Sequence, residues 1–306
     1  MRALLLGAGF SRNWGAPLSS EINGSLLSEL HDDAQLANQL RNRPFEDLFS
    51  GFALPSGGDD AARRQLRLQS AVKATFDRVN LAFHPSEFEF RRQNFEIRFS
   101  VGTFLEKFDV IFTLNQDLLL ETAYMTSGGR VRNATIPGMQ RAPADSNIWR
   151  ANGQHTLPFG PLIQPYIKLH GSTNWQSDAG ESVLIMGNAK SGAIAKFPVL
   201  KWYHEVFETC LRRGNAKLMV IGYSFQDEHI NNVICAASKD YKLETFIIDP
   251  LGTAVLRDPR MRDAHIPGPP RELEDITIVG ELRRTLKEIF SGDRFAVGEI
   301  ERFFSS

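Results

Sequence analysis

The chain has 306 residues, 42% hydrophobic and 23% charged, with a formal net charge of −1. This describes an ordinary globular protein with one core and a sizeable insertion, and the lack of a long basic run disfavours nucleic acid as the primary ligand. Two cysteines, Cys210 and Cys235, make neither a disulfide framework nor a four-thiolate zinc site, which fits a reduced compartment.

The apolar start, 1–10, is short and interrupted by Gly7 and Gly9, so it reads as a buried strand over 2–6 rather than a signal peptide. A helix is expected from about Ser11. Helical spacing of apolar residues continues through 18–30 and 34–40, and Phe45, Leu48, Phe49 and Phe52 mark another short helix. Beyond the turn Gly57-Gly58-Asp59-Asp60, two longer helical patterns cover about 61–83 and 85–108. The arginines on them (63, 64 and 67, then 91, 92 and 98) read as solvated faces. With no strand signal between 31 and 105, this stretch is predicted to be a helical insertion.

A strand at 109–114 leads into a helix over 117–124. The stretch 126–164 is rich in Gly, Pro, Asn and Arg, lacks periodicity, and reads as an irregular lid loop. Strands follow at 165–169 and 182–186, a helix at 199–212, a strand at 217–222, a helix from Asp227 and a strand at 244–248. A last strand (276–279), a helix (281–290) and a tail (291–306), expected as one helix packing on a partner, complete the chain. No run is long enough to span a membrane. Alternating strands and helices predict an α/β fold: a Rossmann-like, doubly wound parallel sheet in a single domain. Its framework covers about 1–30, 106–125 and 165–290.

Four short runs each follow an apolar strand: Gly7-Ala8-Gly9-Phe10-Ser11, Asn115-Gln116-Asp117, His170-Gly171-Ser172 and Gly222-Tyr223-Ser224. Ligands of open α/β sheets bind in the crevice outside the carboxyl ends of the strands, so these runs are expected to converge. Glycines at 7 and 9 allow close approach of a pyrophosphate to a helix start, although Arg12 stands where a dinucleotide fingerprint has its third glycine; a plain tight turn is the other reading. Asn115 can donate and accept hydrogen bonds, suiting ribose hydroxyls or a positioned water. Asp117 reads either as a ligand or as a helix cap. His170 reads either as a general base or as a structural histidine. Gly222, Tyr223, Ser224 and Asp249 are candidates for phosphate or ribose contacts, or simply turns. The other histidines (31, 84, 155, 204, 229 and 265) lack such placement, and none forms a metal-ligand spacing, so no metal is expected.

In this order the runs resemble the sirtuin (silent information regulator 2) family. Gly7 to Ser11 is similar to its phosphate loop, Thr113-Leu114-Asn115-Gln116-Asp117 to its Thr-Gln-Asn-x-Asp segment, Leu169 to Ser172 to its catalytic histidine motif, and Gly222 to Ser224 to its Gly-Thr-Ser loop. The resemblance implies NAD as substrate, with Asn115 and Asp117 at the nicotinamide ribose and His170 as base. Sirtuin deacylases carry a four-cysteine zinc lobe and a Gly-Ile-Pro-Asp-Phe-Arg continuation. This chain has two cysteines and reads Gly15-Ala16-Pro17-Leu18-Ser19-Ser20. With Gly222 to Ile230 reading Gly-Tyr-Ser-Phe-Gln-Asp-Glu-His-Ile, it is more similar to the bacterial NAD hydrolases of anti-phage defence, the helical insertion replacing the zinc lobe.

That branch implies cleavage of NAD to nicotinamide and ADP-ribose in the cytoplasm. Gating would come from homo-oligomerisation or a separately encoded partner such as a HerA-type ATPase or a short Argonaute. The alternatives are a non-catalytic NAD or ADP-ribose binding module, or a zinc-less protein deacylase or ADP-ribosyltransferase.

Overall fold

Leu4-Leu5-Leu6, Val110-Ile111-Phe112, Leu218-Met219-Val220-Ile221 and Phe246-Ile247-Ile248 are continuous apolar runs, and every one of these side chains is buried. Strands covered by helices on both faces read this way. The computed structural model of the chain describes residues 1–52, 59–90, 100–126, 131–187, 190–257, 273 and 276–305.

The strands are β1 (Arg2–Leu6), β2 (Val110–Thr113), β3 (Asn133–Thr135), β4 (Met139–Ala142), β5 (Asp145–Ala151), β6 (Ile163–Lys168), β7 (Gly171–Gln176), β8 (Ser182–Leu184), β9 (Lys217–Ile221), β10 (Glu244–Ile248) and β11 (Ile278–Leu282). Seven form one sheet in the order β11-β10-β9-β1-β2-β6-β3, with every pair parallel. The remaining four form a second, mixed sheet, β4-β5-β7-β8. The expected α/β architecture is therefore present.

The helices are α1 (Ala8–Arg12), α2 (Ser19–Glu29), α3 (Ala34–Asn42), α4 (Phe45–Phe52), α5 (Asp59–Ala82), α6 (Val101–Leu105), α7 (Lys190–Ile194), α8 (Pro198–Leu211), α9 (Glu228–Tyr241), α10 (Leu286–Phe290) and α11 (Arg294–Ser305). Helices α2 to α5 share a small core of their own, built on Ile22, Leu26, Leu36, Leu68, Val72 and Phe76, with Met186 from the sheet side packed into it. The helical unit thus begins at Ser19 rather than near residue 31, because Ile22, Leu26 and Leu30 face this core. Asn80 fastens it to the sheet by accepting from Leu118 N–H at 2.8 Å. Arg91, Arg92, Arg98, Gly57 and Gly58 lie outside the described residues. No helix of the described residues is long and apolar enough to cross a membrane.

Several expectations change. The stretch 126–164 is not an irregular lid: it holds β3, β4 and β5, whose alternation is interrupted by a register shift at Arg141/Ala142. The helix expected over 117–124 is a single π turn, Leu120–Tyr124. The strand ending at Lys168 is followed directly by β7, a strand not expected over 171–176, so His170 lies at the crossover between sheets. Helix α11, the helix expected in the tail, packs one face on its own sheet. Phe304 meets Phe108 edge-on at 5.1 Å, and the Arg2 guanidinium donates to the Phe304 carbonyl at 2.9 Å.

Register sets the level of the site. Leu6 pairs with Thr113 and with Ile221, Thr113 with Lys168, and Ile221 with Ile248. The next residues, Gly7, Leu114, Leu169, Gly222 and Asp249, therefore form one row along the carboxyl edge.

Beneath that row the fully buried Lys168 donates to Glu121 Oε1 at 2.8 Å and to the Asp117 carbonyl at 2.5 Å, while Tyr166 donates to Glu121 Oε2 at 3.1 Å. This ion pair fixes the loop carrying Asn115 to Asp117 on β6. Removing one partner leaves a buried charge uncompensated. Lys168→Met is expected to lower stability by about 3–5 kcal/mol in urea unfolding. An unchanged midpoint would show that the pair does not hold the loop.

Candidate functional site

The chain leaves β1 toward β2 on one side and leaves β9 toward β10 on the other, so β1 and β9 flank the point where strand order reverses. Crevices at such points are where open α/β sheets bind ligands. Here the two loops meet backbone to backbone. Gly7 N–H donates to the Ile221 carbonyl at 3.0 Å and Gly9 N–H to the Gly222 carbonyl at 2.9 Å. A Cβ on Gly222 would stand 2.4 Å from the Gly9 carbonyl carbon, and Gly222 has φ +61°. The glycines at 7 and 9 thus serve the contact between loops, and their N–H groups are engaged by protein carbonyls rather than free for a pyrophosphate.

Asn115 ties β2 to the same junction. Its amide donates to the Gly7 carbonyl and to Ser11 Oγ, each at 3.0 Å, and its backbone N–H donates to Thr113 Oγ1. A carbonyl acceptor requires the amide NH2 on that side, so Oδ1 is left as the acceptor on the cavity side. Among the described residues Oδ1 has no hydrogen-bond partner.

His170 is held by its backbone: Ile185 N–H donates to its carbonyl at 2.9 Å. Gly171 follows with φ +72°, and a Cβ there would lie 2.0 Å from the Val183 carbonyl, so only glycine allows the turn into β7. The ring, 1% exposed, does not stand alone. Its Nε2 lies 3.0 Å from His229 Nε2, and the His204 ring lies 5.1 Å from that of His229. Burial pushes the His170 ring well below the usual imidazole range, against a pull upward from Asp227. Burial also lowers His204, and it takes His229 down to about 4. These rings are neutral at physiological pH.

Asp227 and Lys190 complete the cluster, with Nζ 2.5 Å from Oδ1. Burial opposes the Asp227 charge, but Lys190 and the histidines outweigh it and hold the carboxyl at about 2. Helix α9 starts here, and Tyr223 and Asn231 brace its approach. Tyr223 accepts from Asp227 N–H at 3.1 Å and donates to Asn231 Oδ1 at 3.0 Å, while Asn231 donates to the Phe225 carbonyl at 2.8 Å.

The strand ends, α2, α4 and α5 enclose a cavity of about 1360 Å³. That exceeds the volume of a drug-sized pocket and has room for a dinucleotide. Of the residues singled out in the sequence, Gly7, Ala8, Gly9, Asn115, His170, Gly222, Tyr223, Ser224 and Asp249 line it. Phe10, Ser11, Asp117, Gly171 and Ser172 stand behind it. Phe10 is core, and Ser11 supports Asn115. Asp117 accepts from Leu119 N–H at 3.0 Å, and Ser172 donates to the Gln116 carbonyl at 3.3 Å. Asp117 thus closes a local turn just before the π turn, whose N-cap is Leu119 without a side-chain bond.

His204, Lys190 and Glu46 were missed in the sequence, and Asp227 and His229 stood in the Gly222 to Ile230 run without a role of their own. Their separation along the chain carries no spacing signal; only the fold brings α4, α7, α8 and α9 to one wall. The expectation that no histidines share a metal-ligand arrangement is overturned for His170 and His229. Their ring nitrogens and an Asp227 carboxylate oxygen lie within 4.8 Å of one another. His265 lies outside the described residues.

The sequence profile of the SIR2-like domain matches residues 109–265, just over half of the chain. The match covers Asn115, His170, Gly222 and Asp249 and leaves out β1 with its glycine loop. No curated protein matches the chain.

Gly222→Ala is expected to cost about 3 kcal/mol or more, from overlap with Gly9 and a strained φ. Gly24→Ala in α2, where a Cβ meets nothing within 4 Å, should stabilise by about 0.5–1 kcal/mol. Thermal denaturation of the two variants checks this contrast. The unfolded chain protonates its histidines near pH 6.5, whereas the folded His229 resists protonation to about 4. Stability is therefore expected to fall as pH drops from 6.5 toward 4, with His229 contributing at most about 3 kcal/mol. Asp227 adds a further loss between pH 3.8 and 2. His229→Gln should flatten the first decline in urea unfolding at stepped pH, and equal slopes for both proteins would contradict it.

Proposed function

The chain belongs to the SIR2-like domain family, whose members are usually NAD-dependent enzymes, and from that premise we propose that it hydrolyses NAD to nicotinamide and ADP-ribose. One observation carries the proposal. A fixed acceptor, Asn115 Oδ1, and a buried neutral imidazole, His170, face the same cavity from the ends of adjacent strands.

In NAD the bond between ribose C1′ and the pyridinium nitrogen breaks with its electron pair going to nitrogen, so nicotinamide leaves neutral without a proton from the protein. What remains is to stabilise an oxocarbenium-like ribose and deliver water to C1′. Asn115 Oδ1 accepts from that water or a ribose hydroxyl and sets its position. His170, kept unprotonated by burial, accepts the proton lost as the C1′–O bond forms. Asp117, held by Leu119 N–H and Lys168 outside the cavity lining, would support the geometry of the Asn115 loop. Ser224 and Asp249 sit along the same edge where the remainder of a dinucleotide would extend.

Unchecked hydrolysis would drain the cell of NAD, so the proposal includes gating. Self-assembly, or a partner of the HerA-type ATPase or short Argonaute kind, would supply it in an anti-phage setting; the family resemblance supports this part.

Nicotinamide release from NAD, measured on the chain alone and with the product of the adjacent gene, is the test. Turnover is expected, and Asn115→Ala and His170→Ala should each reduce it by about 10² or more. Binding without cleavage in every state would instead support a binding module, and cleavage that requires an acyl-lysine would support a deacylase.

A further inference from the structure

We propose that His170, His229 and Asp227 form a site for one divalent transition-metal ion of the Zn2+ class in the cavity wall, and that filling it blocks the cavity's chemistry. Two imidazoles and a carboxylate form a donor set that leaves coordination positions open. The two Nε2 atoms are 3.0 Å apart. Each about 2.1 Å from an ion, they would subtend roughly 90° at it. By that separation the angle suits a five- or six-coordinate ion, which would take the place of the hydrogen bond between the two rings. A tetrahedral ion needs them to part by a few tenths of an ångström.

Asp227 has oxygen to spare, since a carboxylate can hold Lys190 with one oxygen and an ion with the other. Lys190 also feels the Glu46 carboxylate, so an added cation does not meet unbalanced positive charge. All three ligand residues line the cavity, which leaves the open positions of the ion to water. Neither cysteine belongs to the cluster.

An ion on His170 Nε2 occupies the lone pair that would take a proton during water attack. This consequence rests on the NAD cleavage proposed above; binding of the ion does not.

The full chain, stripped with chelator and dialysed against micromolar Zn2+ without NAD, is expected to retain one zinc per chain. His229→Ala, His229→Gln and Asp227→Asn should each weaken binding about tenfold or more. Asn115→Ala, which removes no ligand, should bind as the unmodified chain does. X-ray absorption of the zinc-loaded chain should show imidazole scattering without sulfur, a readout that survives if a variant fails to fold. No bound zinc, undiminished binding in the folded His229 and Asp227 variants, or sulfur ligation would overturn the site. Zinc should also suppress nicotinamide release over the range in which it fills the site. A chain that binds zinc but never releases nicotinamide keeps the metal site and loses the hydrolase; one that cleaves NAD but binds no zinc does the reverse.

Discussion

The backbones of Gly9 and Gly222 approach so closely that no side chain can stand between them, and the rest of the site is arranged around that contact. It joins the loops after β1 and β9 where the strand order reverses, and it uses N–H groups that a looser turn would leave for ligand. Asn115 adds β2 to the junction by giving both amide protons to Gly7 and Ser11. Three strand ends are thus fixed relative to one another before any ligand arrives. Pre-organisation of this kind spares a site the cost of ordering itself during binding.

Two charged layers flank that junction. On the inner side Lys168 and Glu121, fully desolvated and hydrogen-bonded, hold the Asn115 loop against β6. On the cavity side Asp227 and Lys190 neutralise one another beside three histidines kept neutral by burial. A neutral, buried imidazole is the form a base needs. The same feature makes the wall costly in acid, since folding must suppress protonation that the unfolded chain accepts freely.

The parallel sheet was legible because its strands are buried on both faces and so read as unbroken apolar runs, as in Leu4 to Leu6 and Phe246 to Ile248. Asn115 and His170 were legible because a polar residue directly after such a run has few other places to go. The β-structure within 126–164 was not: β3 has three residues, β4 alternates weakly, and β5 is only partly buried, so no period stood out. His229 and Asp227 stood in the Gly222 to Ile230 run, but their role beside His170 was hidden for a different reason. They lie about sixty residues from His170 along the chain, and the helix start that carries them reaches it only through the order of the strands. The glycines at 7 and 9 stood out in the sequence, and the neighbour that demands them is the Gly222 backbone.

The most direct measurement is a crystal structure of the His170→Ala chain, which should bind NAD without consuming it, soaked with that dinucleotide. The nicotinamide ribose is expected within hydrogen-bonding reach of Asn115 Oδ1, with the emptied position 170 across from it and the adenosine half running toward Ser224 and Asp249. A dinucleotide seated with its adenine at Asn115, or outside this cavity altogether, would contradict the assignment of the site.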